Sequence, residues 1–222
     1  MHVAAPILIV LATCVTVVTR SLRITAATIG VIYALAGLLL GPGVDHLVAW
    51  AYVVSGLTMG AVVYLATTSI AGRRQSSGPA NVQDRGTTRN NIPSAAWPPL
   101  GWLFLITTFL FCVVIAHGLS STYPMREAEL ASEWESFVSY WLLISGSLMA
   151  CITRSPLKAG SGLLLLLCGA SVSYILIAEN IHFVNVVGLL LVGIALSLLT
   201  AYLASEQFEE VAPEVKIQQT EL

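Results

Sequence analysis

The sequence predicts an all-α membrane protein of seven transmembrane helices. Its N-terminus is expected outside and its C-terminus in the cytoplasm, with related helical hairpins near both ends. Three observations predict this. First, hydrophobic residues make up 56% of the chain and charged residues 10%, with a mean hydropathy of +0.83. A soluble domain carries about 25% charge, so this much apolar surface does not fit inside one water-soluble core. Second, the segment after Thr153-Arg154-Ser155-Pro156-Leu157-Lys158 holds two long apolar runs, 159–178 and 183–204. Neither contains Asp, Glu, Lys or Arg, and Glu179-Asn180-Ile181-His182 separates them. Each is long enough to cross a hydrocarbon core of about 30 Å at about 1.5 Å per residue. Third, the chain opens on the same plan. Thr19-Arg20-Ser21-Leu22-Arg23 leads into 24–40, a turn holds Asp45-His46, and 47–71 returns.

Taken in order, the spans are 3–19, 24–40, 47–71, 100–117, 136–152, 159–178 and 183–204. Length and the bilayer's demand for an internally bonded backbone make them helices rather than strands. The first span lacks the basic n-region and the small-residue cleavage site of a signal peptide, so it reads as a retained helix. Pro6 falls in its first turn, where a missing amide costs no helical hydrogen bond. The spans divide into a three-helix half, 1–71, and a four-helix half, 100–204. Between them, 72–99 is rich in Ser, Gly, Asn, Arg and Pro and reads as a flexible cytoplasmic linker. Residues 118–135 form the largest outer loop, in which 125–134 suits a short interfacial helix. The tail, 205–222, is acidic through Glu206, Glu209, Glu210 and Glu214. It reads as a solvated tail, with docking to a cytoplasmic partner as the alternative.

Charge sets the orientation. With seven spans, one face receives Arg20, Arg23, Arg73, Arg74, Arg85, Arg89, Arg154, Lys158 and Lys216, which is nine of the ten basic residues. The other face receives Arg126 alone. The positive-inside rule places the first face in the cytoplasm, of a bacterial inner membrane on this reading. Trp97 and Trp102 fit the inner interface, and Trp134 and Trp141 the outer one. Gly78→Cys and Ser121→Cys, in a cysteine-free background, should therefore label from opposite sides of the membrane, Ser121→Cys from outside. Labelling of both from one side would remove the seven-span arrangement.

The chemistry is mostly a matter of what the spans omit. Ion pathways commonly show an ionisable residue inside a span, and no Asp, Glu, Lys or Arg lies in the interior of any of the seven. Thr25, Thr28, Thr58, Thr67 and Ser173 are expected to bond back to their own helix or across to a neighbour. Gly56 and Gly60 form a Gly-x-x-x-Gly pair. Gly30 with Gly37, and Gly162 with Gly169, lie seven apart on one helix face, as suits close helix contact. The cysteines Cys14, Cys112, Cys151 and Cys168 all fall in apolar runs without a Cys-x-x-Cys pair, and read as small buried apolar side chains. His2, His46, His117 and His182 all map to outer span ends and read as interfacial, with an outer metal site as the alternative. No phosphate loop, nucleophile triad or Cys/His cluster is found. Catalytic, cofactor and metal residues are accordingly none, and no nucleic-acid partner is indicated.

Three helices, a linker and four helices, with related hairpins at both ends, resemble the hydrogenase-4 component E family. That family looks like a duplicated form of the small K subunit of respiratory complex I and the C subunit of Mrp-type antiporters. The resemblance is closest at Arg154-Ser155-Pro156-Leu157-Lys158 followed by Gly162 and Gly169. It implies an oxidoreductase-complex subunit that is not an enzyme by itself. Its partners would be the lipid bilayer and antiporter-like membrane subunits. The family pattern places a membrane glutamate two residues before the second glycine; here that position is Leu167. The resemblance thus implies that neighbouring subunits carry the ion path. The related hairpins also suit a different class, a self-contained transporter for a neutral or hydrophobic solute.

Overall fold

The computed structural model describes residues 4–19, 21–41, 46–76, 99–125, 133–153, 155–178 and 183–220. Their side chains are described except at 4, 22, 69–76, 99–106, 133 and 207–220. Among the described residues the chain is all-helical. Its helices are α1 (Ala4–Val18), α2 (Leu22–Leu40), α3 (His46–Ser76), α4 (Pro99–Thr122), α5 (Glu133–Ile152), α6 (Pro156–Ile177) and α7 (Phe183–Thr220). Five of them are long and apolar enough to cross a membrane, within Arg23–Leu40, His46–Thr68, Trp134–Ile152, Pro156–Ile177 and Phe183–Glu206. Two further apolar stretches, Ala5–Val18 and Thr107–Thr122, are shorter.

Helix starts follow local chemistry where the structure describes them. The Ser155 hydroxyl accepts from the Lys158 amide at 3.4 Å, and Pro156 takes the first helical position. Ser-Pro is a start signal: the serine satisfies one orphan amide and the proline lacks one. Some helices outrun their apolar runs. α3 continues to Ser76 and α7 to Thr220, so the backbone of the acidic tail is helical. The linker at 77–98 and most of the outer segment at 125–134 lie outside the described residues.

Two layers organise the bundle. In the first, Gly30, Gly37, Gly56 and Gly60 bring α2 and α3 together. In the second, Gly146, Gly162 and Gly169 do the same for α5 and α6. These are the two most extensive helix pairs. α1 flanks α2 in one layer, and α7 flanks α6 in the other. The layers then stack in register: α1 lies on α5, α2 on α6 and α3 on α7. Contacts along each pair fix the directions. Gly30 meets Gly56 while Gly37 meets Ala49, so α2 and α3 are antiparallel. Gly160 meets Thr200 while Asn185 bonds Tyr174, so α6 and α7 are antiparallel too. The hairpins α2–α3 and α6–α7 therefore occupy matching places in the two layers. α4 stands outside them and packs on α5.

The core runs through the layer interface, from Ile9, Ile29, Ile32 and Tyr33 through Tyr52 and Met59 to Leu164, Leu165, Cys168 and Val172. A second cluster joins α4 to α5 around Cys112, Ala116 and Trp141. Trp141 departs from its expected place at the membrane interface. It is 1% exposed, because Phe109 of α4 meets its ring edge-on with centroids 5.1 Å apart. Trp134, about two turns earlier, remains exposed. Cys151 also departs from the expectation of burial: it lies on the outer face of α5, whereas Cys112 and Cys168 are buried and Cys14 is half-buried.

Candidate functional site

The most distinctive part of the molecule is the layer interface at mid-bundle, where α2, α3, α6 and α7 meet. Close approach begins with the glycines. A Cβ placed on Gly30 would sit 3.3 Å from the Gly56 carbonyl oxygen, and one on Gly60 would sit 3.2 Å from the Ala26 carbonyl oxygen. On Gly37 it would reach the Ala49 carbonyl oxygen at 2.8 Å, and on Gly56 it would run into Tyr33 Cβ. In the other layer, a Cβ on Gly162 would lie 2.5 Å from the Ala150 nitrogen, and one on Gly169 2.8 Å from the Leu143 nitrogen. Gly30, Gly37, Gly56 and Gly60 thus all stand at the α2–α3 contact, and Gly162 and Gly169 at the α5–α6 contact. Three further glycines do the same work without having stood out in the sequence. Gly146 faces the Leu166 nitrogen at 2.5 Å, Gly160 faces Thr200, and Gly193 faces Met59. Gly146 lies alone between two serines, and Gly193 has no glycine seven residues away toward its partner, so spacing gave no signal for either.

With backbones this close, two tyrosines of the first layer reach the second. Tyr33 on α2 and Tyr52 on α3 are both fully buried, with ring centroids 6.4 Å apart. The Tyr33 hydroxyl donates to the Leu164 carbonyl of α6 at 2.9 Å, linking residues 131 apart in sequence. Tyr52 projects one turn farther along α6, beside Cys168 and Ser171. Such a tyrosine is hard to single out from sequence, since tyrosines are common in membrane helices and their partner sits on a distant segment.

Leu167 lies on the neighbouring face of α6. It is half-buried, and a Cβ on Gly193 of α7 would come 3.1 Å from its Cδ2. Its surroundings are therefore the α3–α6–α7 junction, where Met59 reaches the same face of Gly193. A leucine here packs against glycine and methionine, which are apolar and accommodate it without a polar partner.

The hydroxyls along the spans bond as expected. Thr25 donates to the Ser21 carbonyl, Thr58 to Val54 and Thr67 to Tyr64. Thr28 bonds back to the Ile24 and Thr25 carbonyls and receives a hydrogen bond from Thr16 of α1 at 2.8 Å. Ser173 bonds back to the Gly169 carbonyl and also meets Ser139 of α5. Among the described residues no group of three or more His, Cys, Asp or Glu stands close enough to hold a metal ion. His46 and His117 are exposed, His117 against the edge of Phe137, and His2 and His182 lie outside the described residues. No family model, no curated protein and no solved structure matches the chain.

Proposed function

We propose that the chain is a non-catalytic integral membrane subunit of a complex I-like or membrane-hydrogenase-like oxidoreductase. It packs beside antiporter-like subunits that translocate the ion, and crosses the bacterial inner membrane seven times with its N-terminus outside. One observation supports this reading above the others: the position at which the resembled family has a membrane glutamate is Leu167, held at an apolar junction against Gly193. A side chain there that neither binds nor releases a proton suits a packing role. The charge-free span interiors and the glycine contacts between helices suit it too.

Two measurements test the proposal. Purified in mild detergent, the chain should bring large antiporter-like subunits with it; recovery as a lone homo-oligomer that moves solute in liposomes would favour the transporter reading instead. In liposomes holding the intact complex, Leu167→Ala should leave pumping per assembled complex near normal. Its cost should appear in stability, at about 2 kcal/mol, the lower end for leucine truncation because the site is only half-buried. A collapse of ion movement in Leu167→Ala, with assembly and electron transfer intact, would defeat the packing role.

A further inference from the structure

Among the described residues, one strip of α5 is covered by neither of the helices beside it. Leu143, Ile144, Ser147, Leu148 and Cys151 line an open groove of about 440 Å³ there. On one side α6 stands against the α5 backbone, with Gly169 beside Leu143 and Gly162 beside Ala150. On the other, Ile144 and Leu148 pack against the cluster that joins α4 to α5. Ser147 and Cys151 lie exposed between the two.

The extent of the groove narrows what can occupy it. Leu143 lies at the middle of the span Trp134–Ile152 and Cys151 near its end. The groove therefore runs about 12 Å along the helix, which is most of one leaflet's hydrocarbon depth of about 15 Å. The other half of the span is closed, because Val138, Trp141 and Leu142 are buried. A transmembrane helix of a partner would need a groove across the whole core, whereas a lipid chain entering from one surface needs only half of it. Charge then selects the lipid. Arg154 follows Cys151 by three residues, which limits their Cα separation to about 11 Å. Lys158 lies in the first turn of α6. No Asp or Glu occurs from 136 to 178, so this hairpin carries two positive charges at its turn and no others. Basic residues at headgroup level between membrane helices recognise the phosphate of anionic lipids.

We propose that this groove binds one acyl chain of an anionic phospholipid, with the lipid phosphate held at the α5–α6 turn by Arg154 and Lys158. Leu143, Ile144 and Leu148 supply the apolar lining, and the small Ser147 and Cys151 leave room for the chain. The site is independent of the subunit role proposed above, since it needs only that α5 and α6 cross the membrane.

Cys151 is the reporter and takes no part in binding. In the full-length protein, Cys14→Ala, Cys112→Ala and Cys168→Ala leave it as the single thiol. Its alkylation rate is followed in uncharged detergent micelles as phosphatidylglycerol, or phosphatidylcholine with the same acyl chains, is added. The matched control carries its single thiol as Leu203→Cys on α7, an exposed position three residues before Glu206, as Cys151 is three before Arg154. Bound lipid shields Cys151, so phosphatidylglycerol should slow it about tenfold more than phosphatidylcholine does. Leu203→Cys should respond to the two lipids alike. Arg154→Gln with Lys158→Gln should remove the preference at Cys151. In native mass spectrometry of the protein with all its cysteines, one phosphatidylglycerol should be retained. Ser147→Phe, which fills the groove and leaves both basic residues in place, should lose it. Helix content by circular dichroism verifies that each variant is folded. Equal slowing of Cys151 by the two lipids overturns the proposal, as does a preference that survives removal of both basic residues, or lipid retained by folded Ser147→Phe. Shielding of Cys151 that needs no lipid and rises with protein concentration would assign the groove to a second copy of the chain and overturn it too.

Discussion

Gly162→Ala is expected to be among the most damaging single-methyl additions in the molecule. The new Cβ would lie 2.5 Å from the Ala150 nitrogen and 2.9 Å from the Gly146 carbonyl oxygen. Both atoms belong to the backbone of α5, so no side-chain rotation relieves the clash. The α5–α6 pair has to separate, and the Ser139 contacts with Gly169 and Ser173 lengthen along with it. A loss of about 3 kcal/mol is expected, at the upper end for overpacking. Gly188→Ala on α7 is the matched control, since nothing stands within 4 Å of its Cβ. It should lie within about 1 kcal/mol of the wild type, the range of the Gly-to-Ala helix propensity difference. Unfolding in mixed micelles under increasing denaturing detergent measures both. Equal stability of the two variants would mean that α5 and α6 do not approach as described.

Tyr33→Ala should cost about 3–5 kcal/mol in the same measurement, the range for removing a fully buried aromatic ring. The ring is 0% exposed and lies between Tyr52, Gly56 and α6. Tyr33→Phe separates its two contributions. It keeps the ring and removes only the hydrogen bond to the Leu164 carbonyl, leaving that oxygen with its helical partner. A cost of about 1 kcal/mol is expected for that one bond. Because this bond joins the two layers, Tyr33→Phe should also loosen the layer interface more than it loosens α2 against α3. Protection of backbone amides in α6 would show it. A Tyr33→Phe variant as unstable as Tyr33→Ala would show that the hydroxyl, rather than the ring, holds the layers together.

The helices were legible because the bilayer imposes a length and an absence of charge, and both are visible in one dimension. The runs at 24–40, 159–178 and 183–204 each became a helix with ends within three residues or continuing past the apolar stretch. Faces were partly legible as well. The seven-residue spacing of Gly30 and Gly37, and of Gly162 and Gly169, places each pair on one side of its helix. Partners were not legible. A helical period tells which residues share a face but not which helix covers it, and so the placing of Gly162 against α5 needed coordinates. Trp141 failed for a different reason. α5 starts at Glu133, eight residues before Trp141, so the ring lies well inside the helix rather than at its end, and Phe109 of α4 covers it there. Tyr33 and Tyr52 lacked any local signal, because the atoms they approach lie more than a hundred residues away.

The register of the two layers has a consequence for α4. A unit of three helices traverses the bundle an odd number of times, so the chain leaves the first layer at the end opposite to the one it entered. Met59 of α3 meets Gly193 beside Leu167 while Tyr52, earlier on α3, lies beside Ser171, later on α6, so α3 is antiparallel to α6 and runs in the same sense as α7. One chain can lay down both layers only if it is first carried back to its starting end. α4 makes that return. The requirement on it is one of parity, satisfied by any helix of sufficient length, and its packing outside the layers against α5 is consistent with so loose a demand. Two separate chains, each carrying a single layer, would need no counterpart of α4 at all.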